Sequence, residues 1–265
     1  MLTSVDQLYS SVDYEVSTVR SVGQDGSTPV SASFAERKMT LEFTVAASDR
    51  SQLRGLVDHA MAVLNPAVAG QLTLDTPLGL RRIAVRPDGT PALSLKNAYC
   101  VAVEVDLTAY SPYFTAEEEQ KTEVATVVGG LVFPIELDAG WMVGERMRAQ
   151  MVNVCNPGHA PCGLRIVLTA DGTVSDPEVY NITTGQMLRI CKDMLAGEWI
   201  EILSEPDCRR IVSRRRGEQQ NLMGLLDVTS DFPQLAVGDN LFRCGATAGG
   251  QNLRVTVYSR PVYML

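Results

Sequence analysis

The chain has 265 residues, 45% of them hydrophobic and 20% charged, the composition of a globular protein with apolar material for one large core or two ordinary ones. No stretch reaches the roughly 18 consecutive apolar residues of a membrane helix, so no membrane insertion is expected. The net charge of −8 disfavours nucleic-acid binding through basic surface.

The acid excess lies mainly in the first half: Met1 to Val128 hold 16 Asp/Glu against 10 Lys/Arg. Residues 1–15 lack a basic stretch followed by an apolar run, so no secretory signal is expected. The six cysteines are then expected to be free thiols, with one disulfide in the second half as the alternative.

In chain order, Met39, Leu41, Phe43 and Val45 alternate with polar neighbours and predict a half-buried strand. A helix follows, capped by Ser48 or Asp49, with Leu53, Leu56, Val57, Ala60, Met61 and Leu64 as its apolar stripe. Asn65-Pro66 ends it, since proline cannot donate the next backbone bond. Further strands are predicted at Gln71 to Asp75, Leu80 to Arg86 and Tyr99 to Leu107. Thr115 to Gln120 reads as an added helical turn, and Gly129-Gly130 as a flexible joint.

The second half reads as strands throughout. They fall at Leu164 to Leu168, Gln186 to Ile190, Glu198 to Leu203, Arg209 to Ser213, Asn221 to Asp227, Asn240 to Cys244 and Asn252 to Ser259. Short strands bounded by Gly, Pro, Asn or Asp predict a β-sandwich. The chain is therefore expected to be mainly β with one clear α-helix. Its parts are an N-terminal domain over 1–125, which the resemblance described below implies to be ring-forming, a linker or crossover over 126–142 and a C-terminal β-sandwich over 143–265.

Catalytic signals are sparse. The chain has two histidines, His59 and His159, and no G-x-S-x-G elbow, Walker motif or dinucleotide glycine fingerprint. Cys155, His159 and Cys162 form C-x3-H-x2-C, a spacing that matches no common zinc finger; a zinc site would need Cys191 or Cys208 as a fourth ligand. Glu198 and Glu201 bracket Trp199, but on a strand these two carboxylates point to opposite faces, which does not suit glycosidic cleavage. Arg214-Arg215-Arg216, beside Arg209-Arg210, is the basic cluster and is placed at a hairpin tip. Asn181-Ile182-Thr183 fits the glycosylation pattern by chance. No catalytic residue, cofactor or metal is expected.

Several stretches taken together resemble the distal tail protein of siphophages, the phage tail family. These are RKMTLEFTVAASDRSQLRGLVDHAMAVLNP (Arg37 to Pro66), LTAYSPYF (Leu107 to Phe114) and GGLVFPIEL (Gly129 to Leu137). In the second half they are NPGHAPCGLRIVLTADG (Asn156 to Gly172), NITTGQMLRI (Asn181 to Ile190), AGEWIEI (Ala196 to Ile202) and FPQLAVGDNLF (Phe232 to Phe242). The resemblance implies an N-terminal β-sandwich-like domain with a helix and a hairpin, followed by a galectin-like β-sandwich. It implies a homohexameric ring in the virion tail tip, assembled in the host bacterial cytoplasm. The ring would lie between the tail tube protein and the tail-tip hub or spike protein, with receptor-binding or peripheral baseplate proteins on the outer domains. DNA would pass through the lumen without specific binding. The alternative is a carbohydrate-binding module contacting host surface polysaccharide, with Trp199 or Trp141 as its platform; a sandwich glycan hydrolase ranks last.

Overall fold

The computed structural model describes residues 2–6, 12–77, 79–124 and 151–264. The expected linker over 126–142, with Gly129-Gly130, and Trp141 lie outside the described residues. The chain divides into two compact units, Met1–Glu117 with Tyr263–Leu265, and Glu118–Val262.

The first unit contains β1 (Leu2–Asp6), β2 (Tyr14–Val19), β3 (Thr28–Phe34), β4 (Arg37–Ala46), α1 (Arg50–Val63), β5 (Gly70–Thr76), β6 (Gly79–Pro87), β7 (Ala92–Asn97), β8 (Cys100–Ala109) and β9 (Phe114–Ala116). An antiparallel sheet runs β1-β4-β8-β6-β9, with β5 on β6 and β7 on β8. The alternation in β4 has a structural counterpart: Met39, Leu41, Phe43 and Val45 lie opposite Leu107, Val105, Val103 and Val101. This apolar face is covered at one end by Leu53, Val57 and Leu64 of α1 and its cap, and joins Ile83, Val85 and Phe114 at the other. The Asp49 side chain caps α1 by accepting from the Ser51 and Gln52 amides. Leu56, expected on the packed stripe, is exposed, because the buried line runs through Leu53 and Val57, one turn apart.

Arg37 is almost fully buried, donates to the Pro112 carbonyl at 3.3 Å and lies over the Phe114 ring. It ties the start of β4 to the Ser-Pro-Tyr-Phe turn that closes the sheet. The expected helical turn over 115–120 is absent; β9 ends there and β10 (Gln120–Glu123) begins, paired in register with a strand of the second unit. Residues 118–125, assigned from sequence to the first domain, thus belong to the second unit as far as they are described.

The rest of that unit is β11 (Val152–Asn156), β12 (Leu164–Ala170), β13 (Val174–Asn181), β14 (Gln186–Arg189), β15 (Asp193–Met194), β16 (Trp199–Glu205), β17 (Cys208–Arg215), β18 (Glu218–Asn221), β19 (Gly238–Ala248) and β20 (Leu253–Ser259). One antiparallel sheet runs β10-β20-β12-β16-β17-β18; the other runs β11-β19-β13-β14, with β15 on β13. Leu164, Ile166, Leu168, Ile200, Ile202, Val255 and Val257 of the first sheet pack on Val154, Val179, Leu188 and Phe242 of the second, so the unit is a β-sandwich with one core. The strand expected over 221–227 is instead a turn. Asn221 accepts from the Met223 amide, and a 3₁₀ helix follows at Met223–Leu225. Leu222 is fully buried, and this apolar residue made the segment read as a strand.

Candidate assembly and contact surfaces

Three buried asparagines organise the loops at one end of the sandwich. Asn156 donates to the carbonyls of Ala160 and Leu235 and accepts from the Gly158 amide. Asn181 donates to the Gln234 carbonyl and accepts from the Thr183 amide. Asn240 donates to the Ala236 and Gly238 carbonyls and accepts from the Ala236 amide. All three converge on residues 234–238. They are the asparagines of the Asn-x-Gly, Asn…Thr-Thr-Gly and Gly-x-Asn turns, so these motifs work as loop frames and not as reactive groups.

The residues singled out for chemistry do not assemble a catalytic site. Glu198 is 2% exposed and faces the interior, where it accepts from Lys192 Nζ at 2.5 Å, from Ser213 Oγ and from the Leu195 amide. Burial pushes its carboxyl up, and these three donors together hold it below the ordinary carboxylate range. Glu201 stands on the opposite face of β16, as strand geometry requires, with guanidinium nitrogens of Arg165, Arg210 and Arg214 at 3.7, 3.6 and 4.0 Å.

Trp199 shares that outer face. It is half-buried, and the Arg214 guanidinium lies 4.8 Å from its ring centroid. The arginine cluster does form a hairpin: β17 and β18 are joined by Arg216 and Gly217, both left-handed.

Cys155 is exposed on β11, whereas Cys162 is buried and its thiol is pushed up to about 12 by burial. Among the described residues no group of three or more His, Cys, Asp or Glu is placed to hold a metal ion, and all six cysteines are free thiols. His59 is exposed on α1, and the His159 amide donates to the Val262 carbonyl.

The resemblance implies a hairpin in the first unit, but the pattern of the sequence does not place the one over 14–34. Among the described residues β2 and β3 pair only with each other, in an antiparallel ribbon. Tyr14 opposite Phe34 and Val16 opposite Ala32 give it an apolar face; Glu15 opposite Ser33 and Ser17 opposite Ser31 give it a polar one. Val16 is 47% and Val30 67% exposed. At its base Tyr14 packs on Phe34 across the ribbon and Phe34 packs on Tyr113, with ring centroids 4.8 and 6.0 Å apart. An isolated two-stranded ribbon is marginal in water. Strand β7 is likewise exposed along its whole length, with Leu95 79% accessible. Most of the large apolar side chains exposed among the described residues belong to this unit. Surface of this kind marks contacts with other protein.

The outer face of the same sheet has an acidic centre, with Lys38 and Arg86 at one end, both beside Thr108. Glu42 lies directly opposite Glu104, with Thr40 opposite Asp106 next to them. Like charges directly across a ladder repel, and among the described residues no Lys or Arg forms an ion pair with either glutamate.

Comparison with known proteins matches both units. The model of the phage tail protein RIFT-related domain matches residues 3–109, and that of the siphovirus-type tail component C-terminal domain matches residues 157–263. Among solved structures, the chain is similar to the Dit protein (gp 19.1) of SPP1, described as a paradigm of the hub adsorption apparatus in Gram-positive infecting phages. Identity is 14% over 99% of this chain and 93% of that one, with a TM-score of 0.71. It is also similar to a chain of the phage p2 baseplate in its activated conformation, with Sr and with Ca. Identity is 9% in both, over 98% of this chain and 89% of that one, with TM-scores of 0.59 and 0.58. No curated protein matches the chain. At such identities the structural likeness establishes the fold.

Proposed function

We propose, because this chain belongs to the siphophage distal tail proteins, that six copies close into a ring joining the tail tube to the tail-tip or baseplate proteins around the DNA channel. The chain is a structural hub component of the phage tail and works in assembly with other tail proteins.

The observation that carries the ring is the β2–β3 ribbon, whose apolar face leaves Val16 and Val30 exposed beyond the contact of Phe34 with Tyr113. A cyclic ring is built from heterologous contacts in which one patch of each copy meets a different patch of the next. The ribbon and the exposed β7 surface with Leu93 and Leu95 supply two such unlike patches. The acidic face around Glu42 and Glu104 suits the lumen, since like charge discourages phosphate from adhering.

In this reading the tail tube protein meets one face of the ring and the hub or spike protein the other, while the sandwiches carry receptor-binding or peripheral baseplate proteins. The protein performs no catalysis and is assembled in the host cytoplasm before joining the virion. Electron micrographs of the purified chain test this. Rings of sixfold symmetry with a central opening are expected; closed rings of any other symmetry would refute the stoichiometry.

A further inference from the structure

The outer face of the six-stranded sheet carries a cluster separate in sequence from the ribbon and β7 patches proposed for the ring. Trp199, Glu201, Val212, Arg210 and Arg214 share this face, since Trp199 lies opposite Arg214 and Glu201 opposite Val212 in the ladder. Arg165 lies on the neighbouring strand, but its donors are occupied by Glu119, at 3.1 and 2.5 Å, and it stacks on Tyr258. Arg210 and Arg214 are different. Each stands 3.6 to 4.0 Å from Glu201, too far for a hydrogen bond, and Arg214 is held over the indole by one bond from Nε to Gln219 at 3.2 Å. One carboxylate thus keeps two guanidinium groups together without using their donors, and the cationic charge exceeds the anionic.

We infer that this face binds an anionic glycan, with the ligand's carboxylate or phosphate taken by Arg210 and Arg214, its hydroxyls donating to Glu201 and a sugar ring resting against Trp199. Planar guanidinium groups suit carboxylate and phosphate, which accept two parallel bonds. The tip of the hairpin that presents them is also basic: Arg216 occupies a left-handed turn position, φ 50°, which favours Asn, Asp or Gly.

The surface fits a glycan better than a protein. None of the exposed large apolar side chains of this unit, such as Met151, Leu195, Met223 or Val237, lies on the strands of this face. A protein interface of standard size needs an apolar centre. Here Trp199, Val167 and Leu203 are all half-buried and none is fully exposed, and they stand beside polar groups that match hydroxyls and a negative charge. The inference does not depend on the ring, because the face belongs to the second unit alone.

The test uses the full-length chain with Trp141→Phe, so that indole fluorescence reports Trp199. Oligogalacturonate and poly(glycerol phosphate) are titrated beside neutral dextran oligomers and polyglutamate. Saturable quenching is expected with the uronate or the phosphate polymer, which identifies the anionic group, and not with dextran. Arg210→Gln with Arg214→Gln should weaken it at least tenfold while leaving the thermal midpoint unchanged. Absence of binding to both anionic glycans overturns the proposal, as does binding that survives loss of both arginines. Equal binding of polyglutamate also overturns it and points to an acidic protein partner.

Discussion

Asn181 donates through its side-chain nitrogen to the Asn240 side-chain oxygen at 3.3 Å, and neither residue is exposed at all. Two turns about 60 residues apart in sequence are thereby locked to each other and to residues 234–238. Buried amides are worth most where every donor and acceptor is used, and removing one partner leaves the rest desolvated without compensation.

Asn240→Ala strips the Ala236 amide and the Ala236 and Gly238 carbonyls of their partner. A loss of about 2–4 kcal/mol is expected, in line with several buried groups left unsatisfied. Urea unfolding should show a lower midpoint with an unchanged slope. A change below 0.5 kcal/mol would remove these asparagines from the account of the fold.

Gly158 has a steric role in the same loop. A Cβ there would meet the Val262 carbonyl oxygen at 2.5 Å and the Asn156 side-chain oxygen at 2.8 Å. Gly158→Ala must displace backbone, and the expected cost is about 1–3 kcal/mol, the scale of an overpacked site. Gly185→Ala, at a turn with a positive φ but nothing near the added atom, should cost about 1 kcal/mol from backbone strain. Thermal unfolding of the pair separates crowding from strain.

Two glutamates at the β16 ends give opposite pH responses. Despite its burial, Glu198 is held below its ordinary range by Lys192, Ser213 and the Leu195 amide. It therefore stabilises the fold above the unfolded-state value, roughly pH 4.3, and this contribution is lost as pH falls through the lower folded value. Glu205 is raised, first by burial and then by Asp207. Its ionisation opposes folding, so its cost emerges as pH rises from roughly 4.3 through the folded value. Glu198→Gln should destabilise at pH 7 and flatten the acid limb of the stability profile. Glu205→Gln should stabilise at pH 7 and change nothing at pH 3. Identical profiles for the two variants would contradict both assignments.

The apolar face of the ribbon offers the sharpest disruption. Val16→Arg places a charge opposite Ala32 on a surface that carries no core, so the thermal midpoint of the isolated chain should hardly move. Assembly should fail. A variant that still forms rings would separate the ribbon from the interface.

Legibility in the sequence followed burial. β4, β6, β8, β12 and β20 each place one face on a core, so their alternation was visible, as was α1 with its Asp49 cap and Asn-Pro stop. The β2–β3 ribbon has no core of its own, and its short alternation of Tyr14 and Val16 among serines and threonines carried little signal. The segment after Asn221 deceived in the other direction: Leu222 is buried, but a side-chain turn bends the chain away from the ladder. The opposite orientations of Glu198 and Glu201 were legible from strand geometry. The arginines gathered round Glu201 were not, because Arg165, Arg210 and Arg214 come together only through the pairing of β12, β16 and β17.

The mass of the purified protein in solution, by light scattering over a concentration series and in parallel with Val16→Arg, tests the ring most directly. The account predicts a species near six times 28.8 kDa that collapses to 28.8 kDa in the variant. A wild-type chain that stays at 28.8 kDa at every concentration would contradict it.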